Sequence, residues 1–362
     1  MESSADFKKQ ASQILYEASK RTWENRKGRI GEVISSSEDF RGPRGIDISE
    51  LPKGTRLYGG MDGVGNKIEI AERMKNHRTM ASGLVEMVCG DKVREGMEPI
   101  FIMSNIDVNS LNGNIGIVKE IVEGYVEAAK EADVVILNGE IAELGKRISG
   151  YGNFNYTWCA SAIGIGRAER ILDGRKIKIG DALVGLEEPG FRSNGLSKLL
   201  EIMEKNFGEH WHELSFEGKK KFGEYGLVPA KIYTRAVVEM FGGYDREPKA
   251  EIHGIAHITG DGIPEKLSSA LNGTGLGAHV EPFEPNDFIK YLQYIGKIDD
   301  ALAYRTWNMG QGMIIITSEP EKVMNVASFH NIESKIIGEI TKNPGITIKS
   351  KGYYSEEEEL RF

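Results

Sequence analysis

Apolar positions along this chain recur at two alternating spacings, one helical and one of strands. Residues 5–24 set Phe7, Ala11, Ile14, Leu15 and Ala18 at helical intervals and predict a surface helix. Residues 79–96 predict a second helix with a stripe of Leu84, Met87 and Val88. Asp91 falls seven residues after Leu84 and so returns near that stripe. A carboxylate so placed is either buried and paired or lines a cleft. The run PIFIM from Pro99 predicts a strand, residues 115–132 a long helix, DVVIL from Asp133 a buried strand, and 158–166 another strand. A charged connector, RAERILDGRKIKIGDALVG, interrupts the pattern and places a domain boundary near residue 168. Beyond it the alternation resumes: strand 182–187, helices 195–206 and 230–241, strand 251–258, helix 263–271 and several later strands. Such alternation is the mark of mixed α/β architecture. Residues 206–226 are mostly polar and read as an excursion between helices.

Length agrees with two units: 362 residues exceed one ordinary core and divide into domains at 1–167 and 168–362. The formal net charge of −8 argues against a polyanion-binding surface and excludes DNA and RNA as main partners. Cys89 and Cys159 each lie in an apolar stretch, which disfavours a disulfide framework or a cysteine zinc site and suits a reducing compartment. The amino terminus lacks a signal-peptide core, and no run of about 18 apolar residues occurs, so a soluble, cytoplasmic protein without a membrane partner is expected. The acidic run EEEELRF at the carboxyl end reads as a solvated tail.

Candidate chemistry concentrates between Gly60 and Pro99. Asp62 stands in a glycine-rich turn, Lys67 opens a helix, and Asp91 is followed by four residues and then Gly-Met-Glu-Pro. Hard divalent cations seek carboxylate oxygens beside nucleotide phosphates, so Asp62 and Asp91 are candidate magnesium ligands and Lys67 a point charge for phosphate. Glu140 ends a buried strand, where α/β proteins gather ligands, and is the third candidate acid; a solvated turn glutamate is the alternative. In GFRSNGL, Ser193 or Asn194 would cap a helix whose free amides cradle phosphate, with Arg192 adding a fork of donors. His253 and His257 lie four apart in a β-branched run before Thr259; that context favours a strand over a helical zinc pair. YRTWNMGQGM adds Arg305 and Asn308 ahead of a two-glycine turn. The glycine doublets sit in no dinucleotide fingerprint, and Asn66 and Ile68 flank Lys67, so neither a Rossmann motif nor a Walker A loop is present.

Taken in order, these segments resemble the aminoimidazole ribonucleotide synthetase (phosphoribosylformylglycinamidine cyclo-ligase) family from about Gly59 to Ile316. DGVGNK stands for the family's DGVGTK, Asp91 to Pro99 for D-x4-G-A-x-P, and GEIAEL for GETAEM. RSNG stands for HSNG, HGIAHITGDG for H-x-I-A-H-x-TGGG, and YRTWNMGQGM for YRTFNCGVGM. The resemblance implies a homodimer of two-domain α/β subunits whose amino-terminal sheets associate, with the nucleotide site in the interdomain cleft. It implies ATP-dependent ring closure of formylglycinamidine ribonucleotide in purine biosynthesis. Asp62, Asp91 and Glu140 would then hold magnesium, and Asp62, Lys67, Asp91 and Glu140 the ATP. Arg192, Ser193, Asn194, His257, Thr259, Arg305 and Asn308 would contact the ribonucleotide, and Asp62, Lys67, Asp91 and His253 would be catalytic.

Four departures accompany the match. Arg192 stands where the family has His, Asp261 where it has a third Gly, Ser104-Asn105-Ile106 where it has an Asp-Tyr-rich stretch, and GEIAELGKR lacks its Thr and Pro. The family's upstream glycine-rich loop is not evident between Arg26 and Pro52. A related ligase or kinase with another substrate, or a non-catalytic nucleotide-binding paralogue, are the alternative readings.

Overall fold

A computed structural model describes residues 3–362. The amino-terminal part comprises α1 (Ser4–Trp23), β1 (Val33–Ser35), β2 (Arg44–Ile46), β3 (Thr55–Gly63), α2 (Lys67–Met74), α3 (Met80–Val93), β4 (Glu98–Val108), α4 (Ile115–Ala132), β5 (Val135–Glu143) and β6 (Tyr156–Arg167). Its main sheet runs β3-β6-β4-β5. Only β4 and β5 are parallel, and α4 makes the crossover that parallel pairing requires. Cross-strand register aligns Asp62, Ala160, Ser104 and Gly139 in one row. Residues facing each other across strands share a face, and neighbours along a strand alternate. Asp62 therefore faces the same side as buried Ala160, and Glu140 the other. On that outer side Leu57, Met61 and Met103 are exposed.

The carboxyl-terminal part comprises β7 (Ala182–Glu187), α5 (Leu196–Phe207), α6 (Phe222–Gly226), α7 (Thr234–Phe241), β8 (Ile252–His257), α8 (Gly262–Ala270), β9 (Gly277–Val280), α9 (Asp287–Gly296), α10 (Asp300–Thr306), β10 (Gln311–Thr317), α11 (Pro320–Phe329), β11 (Ser334–Thr341), β12 (Gly345–Lys349) and β13 (Glu359–Arg361). Its seven-stranded sheet runs β13-β12-β9-β11-β7-β10-β8, with only β12 and β9 parallel. All seven residues of β10 are buried, because helices cover both faces: Ile314 and Ile316 join one core, Met313 and Ile315 another with α7 and α11. A strand buried on two sides reads as a continuous apolar run, here MIII.

The joint between the halves is α3. Twelve of its fourteen residues are buried, which a helix achieves only when enclosed all round. One side lies on β3 and β6; another meets α7 of the second domain. Glycines at positions 83 and 90 permit this approach: a Cβ at Gly83 would lie 2.6 Å from Ser193 Oγ, and one at Gly90 2.5 Å from the His257 ring. A second joint forms at Glu98, which accepts from Arg26 Nη1 at 2.6 Å, from Tyr244 N at 3.0 Å and pairs with Arg246 at 2.9 Å.

Helix 115–132 and strand 182–187 stand where the hydrophobic pattern puts them. The helix expected at 230–241 begins only at Thr234. The amides of Lys231 and Tyr233 are committed instead to the buried carboxylates of Glu188 and Glu86. Residues 206–226 correct the reading as a polar excursion. Trp211, Phe216 and Phe222 are buried, and Phe222 stacks on Phe288 and Tyr291 at 5.4 and 5.8 Å between centroids. Aromatics spaced among charges carry enough apolar area to anchor the segment. Phe222→Ala is expected to destabilise the protein by about 3–5 kcal/mol, seen as an earlier urea midpoint. A shift equivalent to less than about 0.5 kcal/mol would fit a solvated segment instead.

Candidate functional site

The turn after β3 and three loops of the second domain meet at the seam. Gly65 approaches the Ser193 carbonyl, and Asn66 Nδ2 donates to Ser197 Oγ at 2.7 Å. Asn194 lies against Gly260, and Trp307 Nε1 donates to the Gly195 carbonyl at 3.1 Å. Asp62, Ser193, Asn194 and Thr259 are thereby gathered around one cleft. The cap of α5 is Gly195 in the left-handed region, so neither Ser193 nor Asn194 is spent on capping. Ser193 Oγ and Asn194 Oδ1 are buried without a hydrogen-bond partner, which is costly unless a ligand supplies one. Asp261 also adopts left-handed backbone, φ 65°, a conformation Asp tolerates better than most residues and Gly best.

Asp62 and Asp91 lie near enough to interact. Burial raises the Asp62 carboxyl; the Gly63 amide and Lys266 oppose this, and the Asp91 charge adds to it. For Asp91 burial also pushes upward, but the His257 hydrogen bond and the charges around it prevail and hold the group at about 2. His257 Nδ1 is 3.0 Å from Asp91 Oδ1, and its Nε2 is 2.7 Å from Arg192 Nη2. Burial first, and Arg192 next, lower the imidazole to about 4, so the ring is neutral at physiological pH.

Arg192 does not face the cleft. It is 1 % exposed and donates to the Gly312 and Ile258 carbonyls at 2.5 and 3.3 Å and to Glu86 at 3.1 Å, with Glu188 at 3.8 Å. Burial raises both Glu86, to about 8, and Glu188; Arg192 counters each. Lys67 is likewise fully buried and donates to the Val228 carbonyl at 2.7 Å. Burial lowers its ammonium to about 8 while Glu188 supports the charge. These two cations, expected on phosphate, are engaged by protein acceptors.

Other expected residues sit elsewhere. His253, at the far end of β8 from His257, pairs with Asp181 at 2.7 Å. Arg305 is exposed with its guanidinium 4.9 Å over the Phe362 ring. Asn308 donates to the Gly190 carbonyl at 2.6 Å and accepts from Gly310, bracing a loop. Glu140 is separated from Asp62 by three strand spacings, about 14 Å, and by the sheet itself. It pairs with Lys8 at 3.4 Å and lines a cavity of about 480 Å³ with Arg41, Arg44, Ser104 and Asn138. Phe40, Arg41, Gly42 and Arg44 also line that cavity, in a segment that lacks the expected glycine run. Sequence reasoning also missed Glu86, whose signal was a lone acid in the apolar run LVEMVC.

Two sheet-based domains meeting at a carboxylate-lined cleft define a two-domain α/β enzyme class, and comparison with known proteins narrows it. The amino-terminal domain of AIR synthase related protein matches residues 46–166, and the carboxyl-terminal domain of the same family matches 178–351. A phosphoribosylformylglycinamidine cyclo-ligase of Picosynechococcus is 33% identical over 286 residues, 77% of this chain and 80% of that protein. One from Methanococcoides burtonii is 31% identical over 352 residues, 96% of each. The chain belongs to the AIR synthase related family. Thiamine-monophosphate kinase from Stenotrophomonas maltophilia shares the fold with TM-score 0.64 and 11% identity, over 95% of this chain and 97% of that one. The hydrogenase maturation protein HypE in complex with ATP does so with TM-score 0.57 and 15% identity, over 84% of each.

The packing of His257 on α3 gives a test of sign. Gly90→Ala is expected to destabilise by about 1–3 kcal/mol through the collision with the imidazole, measured by urea unfolding. A gain of about 0.5–1 kcal/mol, the ordinary helix effect of the substitution, would show that the ring is not held there.

Proposed function

We infer that this protein is an ATP-dependent cyclo-ligase that closes the imidazole ring of aminoimidazole ribonucleotide, releasing ADP and phosphate. The observation that carries the reading is the Asp62–Asp91 carboxylate pair at a cleft whose second wall offers unpartnered Ser193 and Asn194, in a chain of this family. The curated relatives named above bear that activity in their names.

The carboxylate pair fits magnesium by its chemistry: two oxygen donors, Asp91 firmly ionised and its charge pushing the Asp62 carboxyl upward in the absence of a cation. Magnesium, when bound, would neutralise charge on the transferring phosphoryl group. Around it, Ser193, Asn194 and Thr259 would orient the ribonucleotide. Lys67 and Arg192 would act from within the walls, donating to the Val228, Gly312 and Ile258 carbonyls and balancing Glu188 and Glu86. The formyl amide oxygen takes the phosphoryl group of ATP, the amidine nitrogen bonds to that carbon, and the carbon–oxygen bond breaks to release phosphate. Positioning and electrostatics suffice for such a transfer.

The cavity beneath Phe40 to Gly45 suits ATP in volume and donors, with Arg41 and Arg44 for phosphate and Glu140 for its metal. The cavity wraps the β5 edge of the sheet, and Glu140 points to the face away from Asp62 and Asp91, so one nucleotide touching all three acids would bridge two protomers. The uncovered Leu57, Met61 and Met103 on the Glu140 side support a homodimer through that face. Each protomer would then supply Glu140 to a site whose Asp62 and Asp91 belong to the other. Among the described residues no helix is long and apolar enough to cross a membrane, and both cysteines are free, in keeping with the cytoplasm.

Purified protein given Mg-ATP and formylglycinamidine ribonucleotide is expected to release ADP and aminoimidazole ribonucleotide in equal amounts. ADP without the aminoimidazole would indicate a related ligase or kinase, and neither product a silent paralogue. Asp91→Asn and Glu140→Gln should each abolish turnover, while mixed and reassociated variants recover about a quarter of wild-type activity, as expected when half the dimers carry one intact site. No recovery would place both acids in one protomer's site.

A further inference from the structure

Arg192 departs from the pattern of its family and is the most heavily engaged cation at the seam. An arginine has only donors, so the 2.7 Å contact of its Nη2 with His257 Nε2 requires that nitrogen to be an unprotonated acceptor. The ring's proton then resides on Nδ1, which points at Asp91 Oδ1, 3.0 Å away. Donation therefore runs outward from Arg192, to the fully buried acid Glu86 on one side and through His257 to the carboxylate of Asp91 on the other. Two further observations make it a built device. Gly90 has no side chain, and a Cβ there would meet both the His257 ring and, at 3.1 Å, Glu86 Oε1. Arg192 itself adopts φ 57°, a left-handed backbone that a non-glycine residue keeps only where contacts enforce it.

We propose that Arg192 is a positioning residue for the metal site: by fixing the His257 tautomer it ties down one Asp91 oxygen and presents the other to the divalent cation. The inference rests on the reading of Asp91 as a metal ligand but not on the identity of the substrate. The outer partners of a liganding group commonly govern affinity by 10- to 100-fold when removed. A histidine at this position, lacking the five-donor fork, could not make the same set of contacts with Gly312, Ile258, Glu86 and His257 at once.

The test uses the full-length protein with Mn²⁺ as probe, followed by electron paramagnetic resonance, and ¹⁵N-histidine NMR to read the His257 ring. Wild type should show the Nδ1–H tautomer at His257 and an Mn²⁺ site lost in Asp91→Asn. Arg192→Lys, which keeps a cation for Glu86, should mix the tautomers and weaken Mn²⁺ about tenfold. In His257→Asn, whose amide can donate toward Asp91 without help, adding Arg192→Lys should change Mn²⁺ affinity less than twofold. Arg192→Lys that lowers thermal stability while leaving tautomer and Mn²⁺ affinity unchanged would overturn the proposal, as would an equal loss in the His257→Asn background or an Mn²⁺ site indifferent to Asp91→Asn. The cyclo-ligase reading fails separately, by absence of aminoimidazole product.

Discussion

One guanidinium holds two buried acids. Glu86 on α3 and Glu188 after β7 are both without exposure, and neither would tolerate that position ionised without Arg192. Because Glu86 belongs to the first domain and Arg192 to the second, the charge constraint is also an architectural one. It fixes α3 against the loops that carry Ser193 and Asn194, draws the backbone of Tyr233 toward Glu86 and delays the start of α7, and sets His257 beside Asp91. The seam has its shape because these buried polar groups must be satisfied away from water.

The fold was legible where packing follows simple periodicity. The 115–132 helix is amphipathic, and MIII announces a strand covered on both sides. What escaped were features set by tertiary partners. A polar segment with Trp211, Phe216 and Phe222 reads as solvent-facing until Phe288 and Tyr291 are known to receive it. Asp62 and Asp91 could be recognised as an acidic pair, because a glycine turn and a helix stripe each limit where they point. Glu140 looked equivalent in sequence, yet period-two alternation turns it to the far side of the sheet. His253 and His257 look alike on one strand, and four residues of β8 separate a histidine paired with Asp181 from one paired with Asp91.

Cations were the least predictable. Lys67 and Arg192 stand in motifs that suggest phosphate contact, but both are buried and donate to backbone carbonyls and internal acids. Sequence gives the charge and not its depth. Placed in the walls, they knit the seam together, with Glu86 and Glu188 balancing their charge.

The central claim is that the cleft activates an amide oxygen by phosphorylation before ring closure. Formylglycinamidine ribonucleotide labelled with oxygen-18 at the formyl oxygen tests it most directly, with mass analysis of the released phosphate. The account predicts that one labelled oxygen per turnover appears in inorganic phosphate. Phosphate free of label, with ring closure still observed, would contradict it.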